Sequence, residues 1–317
     1  MANVVLQMTQ SAILKMKEHY QSSLSDKLPP GSLFSAKVDR CNITAYKSGK
    51  VLFQGVNAEN EACQWGTSSV PAHSKAASPS KKSSVNQHAY SPPANISSMS
   101  IIGSDEVGTG DYFGPITVAA VYANATSIPL LKELGVRDSK NIKDPEILKI
   151  AAELKHAVPF SLLSLDNEKY NALQQKGMSQ GKIKAYLHNV ALKKLIEKIK
   201  PIEADGVLID QFAKPDTFFN YLKGQEMFTS KHLYFSTGGE SIHVSVAAAS
   251  ILARAAFVKK FEALSEEAGF VIPKGAGPAV DKAAAKLIQA KGEACLPHFT
   301  KVHFANTEKA KKLLHRS

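Results

Sequence analysis

The segment 101–115, IIGSDEVGTGDYFGP, places two adjacent carboxylates between an apolar strand and a glycine-rich turn. The strand begins at two isoleucines and ends at Asp105 and Glu106, with no Lys or Arg within ten residues on either side. Such a bare acidic pair is unexpected in a chain of formal net charge +11. Because burying a carboxylate is costly unless a cation compensates it, the pair marks a candidate site.

The overall charge favours an anionic partner. The 317 residues include 39 Lys and Arg against 28 Asp and Glu, and nucleic acid is the commonest partner of such a surface. A basic enzyme without such a partner is the alternative. We find neither a signal peptide nor an apolar run of the roughly 18 residues that a membrane span needs. The three cysteines are odd in number and lack metal-type spacing, which fits a reducing compartment better than a disulfide framework. Together these features predict a soluble, cytoplasmic protein.

Residues 66–98 divide the chain. They are rich in Ser, Ala and Pro and poor in large apolar residues, so they cannot bury enough surface to offset the entropy of ordering. We therefore predict a small N-terminal domain over residues 1–65, a flexible linker over 66–98 and a larger domain over 99–317.

The N-terminal domain is predicted to be a small α+β unit. A helical pattern lies between Thr9 and Tyr20, and alternating segments joined by KSGK at 47–50 predict a β-hairpin. Residues 1–98 carry ten basic against five acidic residues. The domain is therefore a candidate nucleic-acid platform, with a dimerisation module as the alternative.

The larger domain alternates strands with helices. Strands are predicted at SMSIIGSD, PITVAAVYA, FSLLSLD and GVLIDQF, and long helices at SQGKIKAYLHNVALKKLIEKIK and SIHVSVAAASILARAAFVKKFEALSEEAG. This order predicts an α/β fold, a mixed sheet with flanking helices.

Carboxylates from distant segments are expected to meet at one edge of this sheet. Asp105 and Glu106 end one strand, Asp210 ends another, and Glu240 follows a double glycine at the start of the second long helix. Mg²⁺ or Mn²⁺ would relieve their mutual repulsion, and two ions about 4 Å apart suit phosphoryl displacement. The alternative is that each aspartate caps nearby amides.

Two features of the segment need comment. Neighbouring side chains on a strand point to opposite faces, so Asp105 and Glu106 can share an ion only if the chain twists or bulges, which we expect at this point. The glycines also resemble a dinucleotide-binding turn. That motif requires a helix directly afterwards, whereas PITVAAVYA continues as a strand, and we reject this alternative.

Four segments together resemble the type 2 ribonucleases H, and within them the ribonuclease HIII branch. They are GSDEVGTGDYFGP at 103–115, GVRDSK at 135–140, LIDQF at 208–212 and GGESIHVSVAAASILARAAF at 238–257. Two departures separate the chain from ribonuclease HII. Thr109 stands where that branch has Arg, and Ala276 in PKGAG stands where it has a sugar-contacting Tyr.

The resemblance implies a ribonuclease H-like fold, an N-terminal domain similar to the TATA-box-binding protein, and hydrolysis of the RNA strand of RNA–DNA hybrids to 3′-hydroxyl and 5′-phosphate ends. It also implies two divalent ions, Mg²⁺ or Mn²⁺. Asp105 would bridge them, and the other metal ligands would be Glu106, Asp210 and Glu240. A different two-metal nuclease of this fold, or a non-catalytic nucleic-acid-binding protein, is the alternative.

Substrate contacts are implied at two places. Backbone groups of Gly108, Thr109 and Gly110 would sense the 2′-hydroxyl, which distinguishes RNA from DNA. Lys140 and Lys182 resemble phosphate-binding positions, although either could be a solvated lysine. Arg254 could pair with a carboxylate, and a structural role has equal weight. His243, His298 and His303 are candidates for general acid–base catalysis, but a lone His on an Ala-rich helix face, such as His243, is more often packed, and the sequence shows no partner for the other two.

Overall fold

The computed structural model describes residues 2–25, 28, 32–46, 49–65 and 89–314. The chain divides into two compact units, Met1–Val85 and Asn86–Ser317. Residues 66–88 of the predicted linker lie outside the described residues, so the flexibility of the linker stays a prediction. Residues 89–98 belong to the second unit. In this stretch the Tyr90 carbonyl accepts a hydrogen bond from Phe235 N–H at 2.9 Å, and the Tyr90 ring contacts Phe219 and Phe235.

The N-terminal unit is a four-stranded antiparallel sheet with two helices. Its elements are β1 (Ala2–Gln7), α1 (Gln10–His19), β2 (Ser32–Val38), β3 (Cys41–Tyr46), β4 (Lys50–Gly55) and α2 (Ala58–Cys63). The helix predicted after Thr9 is present, and the Thr9 hydroxyl accepts from Ala12 N–H at 3.3 Å as its N-cap. The hairpin predicted across residues 47–50 joins β3 to β4, although Lys47 and Ser48 lie outside the described residues. Strand β1, paired with β4, was not predicted.

Side-chain alternation gives this sheet a buried face and an open one. Phe34, Ile43 and Phe53 pack with the helices on the buried face. On the opposite face, Lys37 pairs in register with Asn42, and Asn42 with Gln54. These three side chains are exposed and form a polar row across β2, β3 and β4.

A buried polar chain ties the first helix of this unit to its last. The Tyr20 hydroxyl donates to Glu61 Oε2 at 2.8 Å and accepts from Trp65 Nε1 at 2.8 Å. Burial, together with the Glu61 carboxylate and against the Trp65 hydrogen bond, raises the pKa of Tyr20 to about 12. The hydroxyl therefore stays protonated and satisfies both buried partners.

The second unit contains a five-stranded mixed sheet in the order β7-β6-β5-β8-β9. Its strands are β5 (Ile101–Val107), β6 (Ile116–Ala123), β7 (Phe160–Leu165), β8 (Gly206–Asp210) and β9 (Leu233–Ser236). Strands β5, β6 and β7 pair antiparallel, while β5, β8 and β9 pair parallel. The predicted mixed α/β sheet is confirmed. The short β9 was not predicted.

Helices cover both faces of this sheet. They are α3 (Ile128–Glu133), α4 (Asp144–Ala157), α5 (Asn167–Gln175), α6 (Gln180–Ile199), α7 (Pro215–Tyr221), α8 (Val244–Ala268), α9 (Pro278–Lys291), α10 (Leu296–Phe299) and α11 (Asn306–Leu314). Helix α6 packs on one face of the central strands, and α8 packs on the other.

Helix α8 lies close against β5 because both surfaces are small. A Cβ added at Gly103 would sit 2.3 Å from Val246 N and 2.5 Å from Ser245 Oγ. Next along α8 come three buried alanines, Ala247, Ala248 and Ala249. This close approach fixes the distance between β5 and the start of α8. Within the described residues, no helix combines the length and the apolar character that a bilayer crossing requires.

Tyr20→Phe is expected to destabilise the N-terminal unit by about 1–3 kcal/mol, because it leaves the buried Glu61 without its donor and Trp65 without its acceptor. Urea unfolding followed by the fluorescence of Trp65, the only tryptophan of the chain, measures this directly. The exposed Tyr186 of the second unit supplies a control variant, Tyr186→Phe, which should leave the fluorescence midpoint unchanged. An unchanged midpoint for Tyr20→Phe would contradict the role given to this chain of hydrogen bonds.

Candidate active site

The ends of the two central parallel strands bring carboxylates from distant segments together. Strands β5 and β8 pair through Ser104 and Ile209, so Asp105 and Asp210 are the next residues of each strand. Asp105 lies two residues after Gly103, and Asp210 lies two residues after Leu208. Gly103 and Leu208 both face α8. Both carboxylates therefore leave the sheet on the α8 side.

Glu106 leaves the sheet on the opposite side, toward α6. The pairing of β5 with β6 runs without interruption from Ile101↔Ala123 to Val107↔Thr117. The expectation of a bulge at Asp105 and Glu106 is therefore wrong. The strand stays regular because each carboxylate has its own supporting helix.

Asp105 is the most deeply buried of the four carboxylates, with 4% of its surface exposed. Its Oδ1 accepts from the backbone N–H of Glu106 at 2.7 Å, and the Ser250 hydroxyl also hydrogen-bonds it. Burial raises the pKa of Asp105 well above its usual range, and the charges of Glu106 and Asp210 raise it further. Ionised Asp105 is thus destabilised unless a cation lies nearby.

Asp210 and Glu240 are held by backbone donors. Asp210 Oδ1 accepts from Gly239 N–H at 2.8 Å, in the short 3₁₀ turn before α8. Burial, reinforced by the charge of Glu106, raises the pKa of Asp210 despite that hydrogen bond. Glu240, in the same turn, accepts from Ser139 N–H at 2.8 Å through its Oε2.

Lys140 supplies a cation to this side of the site. Its Nζ lies 3.4 Å from Glu240 Oε1, and the Glu240 charge raises the pKa of Lys140. The ammonium is exposed, so it can reach a bound anion as well as the carboxylate. The second predicted phosphate contact, Lys182, is also exposed and lies in the first turn of α6. Phosphate binding by either lysine stays a prediction.

Arg254 acts through the turn that carries Ser139. Its guanidinium donates to the Ser139 carbonyl and, at 2.8 Å, to Asp144 Oδ1. The Ser139 hydroxyl lies 2.9 Å from that of Ser250, the residue that hydrogen-bonds Asp105. The structural explanation of Arg254 is therefore supported, because it fixes a turn whose other groups support Glu240 and Asp105.

The sequence analysis missed the residues that hold Glu106. Lys184 Nζ lies 2.9 Å from Glu106 Oε1, and His188 Nε2 lies 3.0 Å from Oε2. Burial acts to raise the pKa of Glu106, but the hydrogen bond and charge of His188 and the charge of Lys184 outweigh it, so the pKa falls below its usual value. The only sequence signal was the spacing of four residues, which puts Lys184 and His188 on one face of α6.

Both ring nitrogens of His188 have hydrogen-bond partners. Ser104 Oγ donates to the Ala119 carbonyl at 2.9 Å and lies 2.7 Å from His188 Nδ1. Because a hydroxyl has one proton, Nδ1 donates to Ser104. Nε2 lies 3.0 Å from Glu106 Oε2, so the fully buried ring links Ser104 to Glu106.

The glycine-rich turn after β5 is held in a conformation that requires glycine at its start. Gly108 has a φ of +95°, and a Cβ there would meet Pro115 O at 2.1 Å. The Thr109 carbonyl accepts from Gln180 Nε2 of α6 at 3.1 Å, whereas Gly110 is exposed with open space where a Cβ would be. The turn therefore presents backbone to solvent at Gly110, shortly after the β5 carboxylates.

The C-terminal part of the chain supports this turn. Tyr112 N–H donates to the Gly275 carbonyl at 2.9 Å, which brings the PKGAG segment beside the turn. The buried Lys301 donates to the carbonyls of Asp111, at 2.8 Å, and Gly114. Burial lowers the pKa of Lys301 to about 7.

The three histidines singled out in the sequence do not join the carboxylates. His243 is the buried N-cap of α8, accepting from Ser245 N–H at 3.1 Å and donating to the Met99 carbonyl at 3.1 Å. His298 pairs with Glu267 at 2.7 Å, and His303 stands near Tyr170. The packed role weighed for His243 is the one observed.

The carboxylate set fits a hard divalent ion by its chemistry. All four groups offer oxygen, which Mg²⁺ and Mn²⁺ prefer. The pKa of Asp105 is raised first by burial and then by the charges of Glu106 and Asp210, both of which a nearby cation would offset. Across the described residues, no three His, Cys, Asp or Glu side chains are already grouped to hold an ion. Glu106 is instead bound to Lys184 and His188, and Glu240 to Lys140 and the Ser139 amide.

Comparison with protein families matches both units. A family model described as Ribonuclease HII matches residues 102–307. A second model, described as a domain of unknown function (DUF3378), matches residues 3–79.

Comparison with individual proteins finds relatives along nearly the whole chain. The chain is 57% identical over 312 residues to ribonuclease HIII of Bacillus mycoides (strain KBAB4), covering 98% of each. It is 58% identical over 312 residues to ribonuclease HIII of Bacillus anthracis (strain CDC 684 / NRRL 3495), covering 98% of this chain and 99% of the relative. Among solved structures, Bst-RNase HIII in complex with Mn²⁺ is 44% identical and covers 100% of each chain, with a TM-score of 0.70. Aquifex aeolicus RNase H3 is 21% identical, covers 95% of this chain and 99% of its own, and has a TM-score of 0.53, which supports the fold alone.

The buried His243 predicts a loss of stability on acidification. Burial lowers the pKa of His243 to about 4, below the usual 6.5. Between these two pH values the unfolded chain binds a proton that the folded chain does not, so stability falls as pH falls from about 6.5 to about 4. The total is about 3 kcal/mol.

His243→Gln is therefore expected to flatten this part of the curve of unfolding free energy against pH. Urea unfolding by far-ultraviolet circular dichroism at pH 7.0 and pH 4.5 measures the difference between wild type and variant. His156→Gln changes an exposed histidine and should keep the wild-type slope. Equal slopes for all three proteins would contradict the assignment.

Proposed function

The chain belongs to the ribonuclease HII family, with ribonucleases HIII as its relatives, and from this membership we propose how its carboxylates and basic surfaces carry out hydrolysis. It is a ribonuclease H, an endonuclease that hydrolyses phosphodiester bonds. Family membership also confirms the predicted ribonuclease H-like fold of the larger unit. We propose that its substrate is the RNA strand of an RNA–DNA hybrid and that its products carry 3′-hydroxyl and 5′-phosphate ends.

The observation that carries the proposal is the arrangement of four carboxylates at the ends of β5 and β8 and before α8. We propose Asp105, Glu106, Asp210 and Glu240 as ligands of divalent ions, Mg²⁺ or Mn²⁺. Such ions, when bound, lower the pKa of a water and neutralise charge on the phosphate. A Mn²⁺ complex of the similar Bst-RNase HIII supports a divalent requirement.

The residues of the chain position these groups and the substrate. Burial and fixed backbone donors hold Asp105, Asp210 and Glu240 in place before any substrate arrives, which lowers the cost of ordering them during the reaction. Lys140, exposed beside Glu240, would contact a phosphate. The backbone of the turn at Gly108–Gly110 would contact the ribose, where small residues permit close approach.

We propose that the N-terminal unit binds the hybrid through the open face of its sheet. Exposed Lys37 and Lys50 supply positive charge on this side, and Asn42 and Gln54 supply hydrogen-bonding groups between them. A flat polar surface with lysines can follow a phosphate backbone without reading its sequence. Dimerisation through this face is the competing role.

Asp105→Asn removes one charge from the carboxylate cluster while keeping the size of the side chain. We expect cleavage of a labelled RNA–DNA hybrid, with Mg²⁺ or Mn²⁺, to fall by more than about 100-fold, with hybrid affinity retained. Asp216→Asn, at an exposed position of α7, should cleave normally. Normal cleavage by Asp105→Asn would overturn the site. Duplex DNA and single-stranded RNA in the same assay test for a different two-metal nuclease.

Lys37→Ala tests the N-terminal unit. We expect weaker hybrid binding and a slope of log affinity against log salt concentration that is smaller in magnitude by about 1, because one phosphate contact is lost. The matched variant is Lys17→Ala, which removes the same charge from exposed helix α1. Equal effects of the two variants would show that only net charge matters, and the proposed binding face would be withdrawn.

A further inference from the structure

We propose that Lys184 is a built-in cation that competes with divalent metal for Glu106 and so weakens the metal affinity of the carboxylate site. The inference rests on the proposed metal-binding role of the four carboxylates. It assigns a function to a helix residue that no motif identified. Lys184 is a positioning residue in this account, since it acts through Glu106.

Both oxygens of Glu106 already have a hydrogen-bonding partner, and one of the two partners is an ammonium. Lys184 Nζ lies 2.9 Å from Oε1, and His188 Nε2 lies 3.0 Å from Oε2. An ion that uses either oxygen must displace or share that partner. The Lys184 and Glu106 side chains are only 11% and 10% exposed, so solvent screens their interaction weakly.

The support of Glu106 differs in kind from that of the other three carboxylates. Asp105, Asp210 and Glu240 each accept a backbone N–H, a neutral donor that leaves their negative charge in place. Within the part of the chain that the structure describes, the one ammonium that pairs with them is that of Lys140, which is exposed and 3.4 Å from Glu240. The α8 side therefore keeps charge available for an ion, whereas the charge of Glu106 is neutralised by the protein itself.

The ring of Phe212 contacts both partners of Glu106. Lys184 Nζ lies 4.2 Å from its centroid, and the His188 ring stacks on it at 5.2 Å with an interplanar angle of 24°. Phe212 follows Asp210 by two residues, so this aromatic ring lies just after the end of β8, the strand that carries Asp210. The contact stabilises the ammonium in place and reduces its access to water.

Lys184, rather than His188, is the partner that an ion can displace. His188 is fully buried and held at its other nitrogen by Ser104, 2.7 Å away. The ammonium of Lys184 ends a flexible stem, and among the described residues it has, besides Glu106, only the Phe212 ring as a partner. Movement of one side chain would free Glu106 Oε1.

The direction of the effect separates competition from a purely structural role. Lys184→Met removes the charge and keeps an unbranched apolar chain, so a competing cation is lost and metal should bind more tightly, on the order of tenfold. A residue needed only to hold Glu106 in place would, when removed, leave metal binding unchanged or weaker. Lys184→Arg keeps the charge and should stay near the wild type.

The experiment measures Mn²⁺ dissociation constants by electron paramagnetic resonance of free Mn²⁺, on the full-length protein without nucleic acid. Lys182→Met is the matched control, because it removes the same charge from an exposed position two residues earlier on α6. We expect tighter binding for Lys184→Met alone. Melting temperatures give a second readout: Lys184→Met should melt lower than wild type without Mn²⁺ and gain more from its addition, because the ion then compensates Glu106.

The outcomes are distinguishable. Unchanged or weaker Mn²⁺ binding by Lys184→Met, with binding abolished by Asp105→Asn, overturns the competition and keeps the proposed metal site. Equal tightening by Lys184→Met and Lys182→Met would assign the effect to net charge and also overturn it. Mn²⁺ binding that is insensitive to Asp105→Asn would instead overturn the proposed site itself.

Discussion

The burial of several negative charges at one edge of a sheet is the constraint on which the second unit depends. Adjacent residues on β5 point to opposite faces, so Asp105 and Glu106 cannot share one set of donors. Each face therefore needs its own helix. On one side α8 and the turn before it supply backbone amides and small side chains, and on the other α6 supplies Lys184 and His188.

This division explains features remote from the carboxylates. Gly103 lets α8 approach β5 closely enough for Ser250 to reach Asp105. Arg254 and Asp144 fix the turn whose Ser139 amide meets Glu240. On the α6 side, positions 180, 184 and 188 form one stripe that contacts Thr109, Glu106 and Ser104 in turn. A single face of α6 thus contacts both the end of β5 and the glycine-rich turn that follows it.

The sequence predicted the parts of this arrangement that local pattern determines. An apolar run that ends in an acidic residue identified Asp105 and Asp210 as strand-end carboxylates, and glycines identified the turn after β5. It did not predict Lys184 or His188, because their link to Glu106 spans 78 and 82 residues and depends on how α6 packs on the sheet. The expected bulge failed for the same reason, since it assumed one binding face where tertiary packing provides two. Strands β1 and β9 were not predicted because short strands at the edge of a sheet show little alternation of apolar and polar residues.

The charge distribution resolves the question raised by the acidic pair. A net charge of +11 attracts nucleic acid. Screening by salt limits the range of that attraction to about 10 Å at ordinary ionic strength. At the carboxylates themselves the local negative charge repels a phosphate. Burial, followed by the charges of Glu106 and Asp210, raises the pKa of Asp105. Exposed lysines such as Lys140 offset part of it, but a single exposed ammonium cannot neutralise three buried carboxylates. The divalent cation proposed for this site would supply the missing positive charge where the field of the whole chain does not reach. The Lys184 ammonium would determine how much of that charge Glu106 still requires.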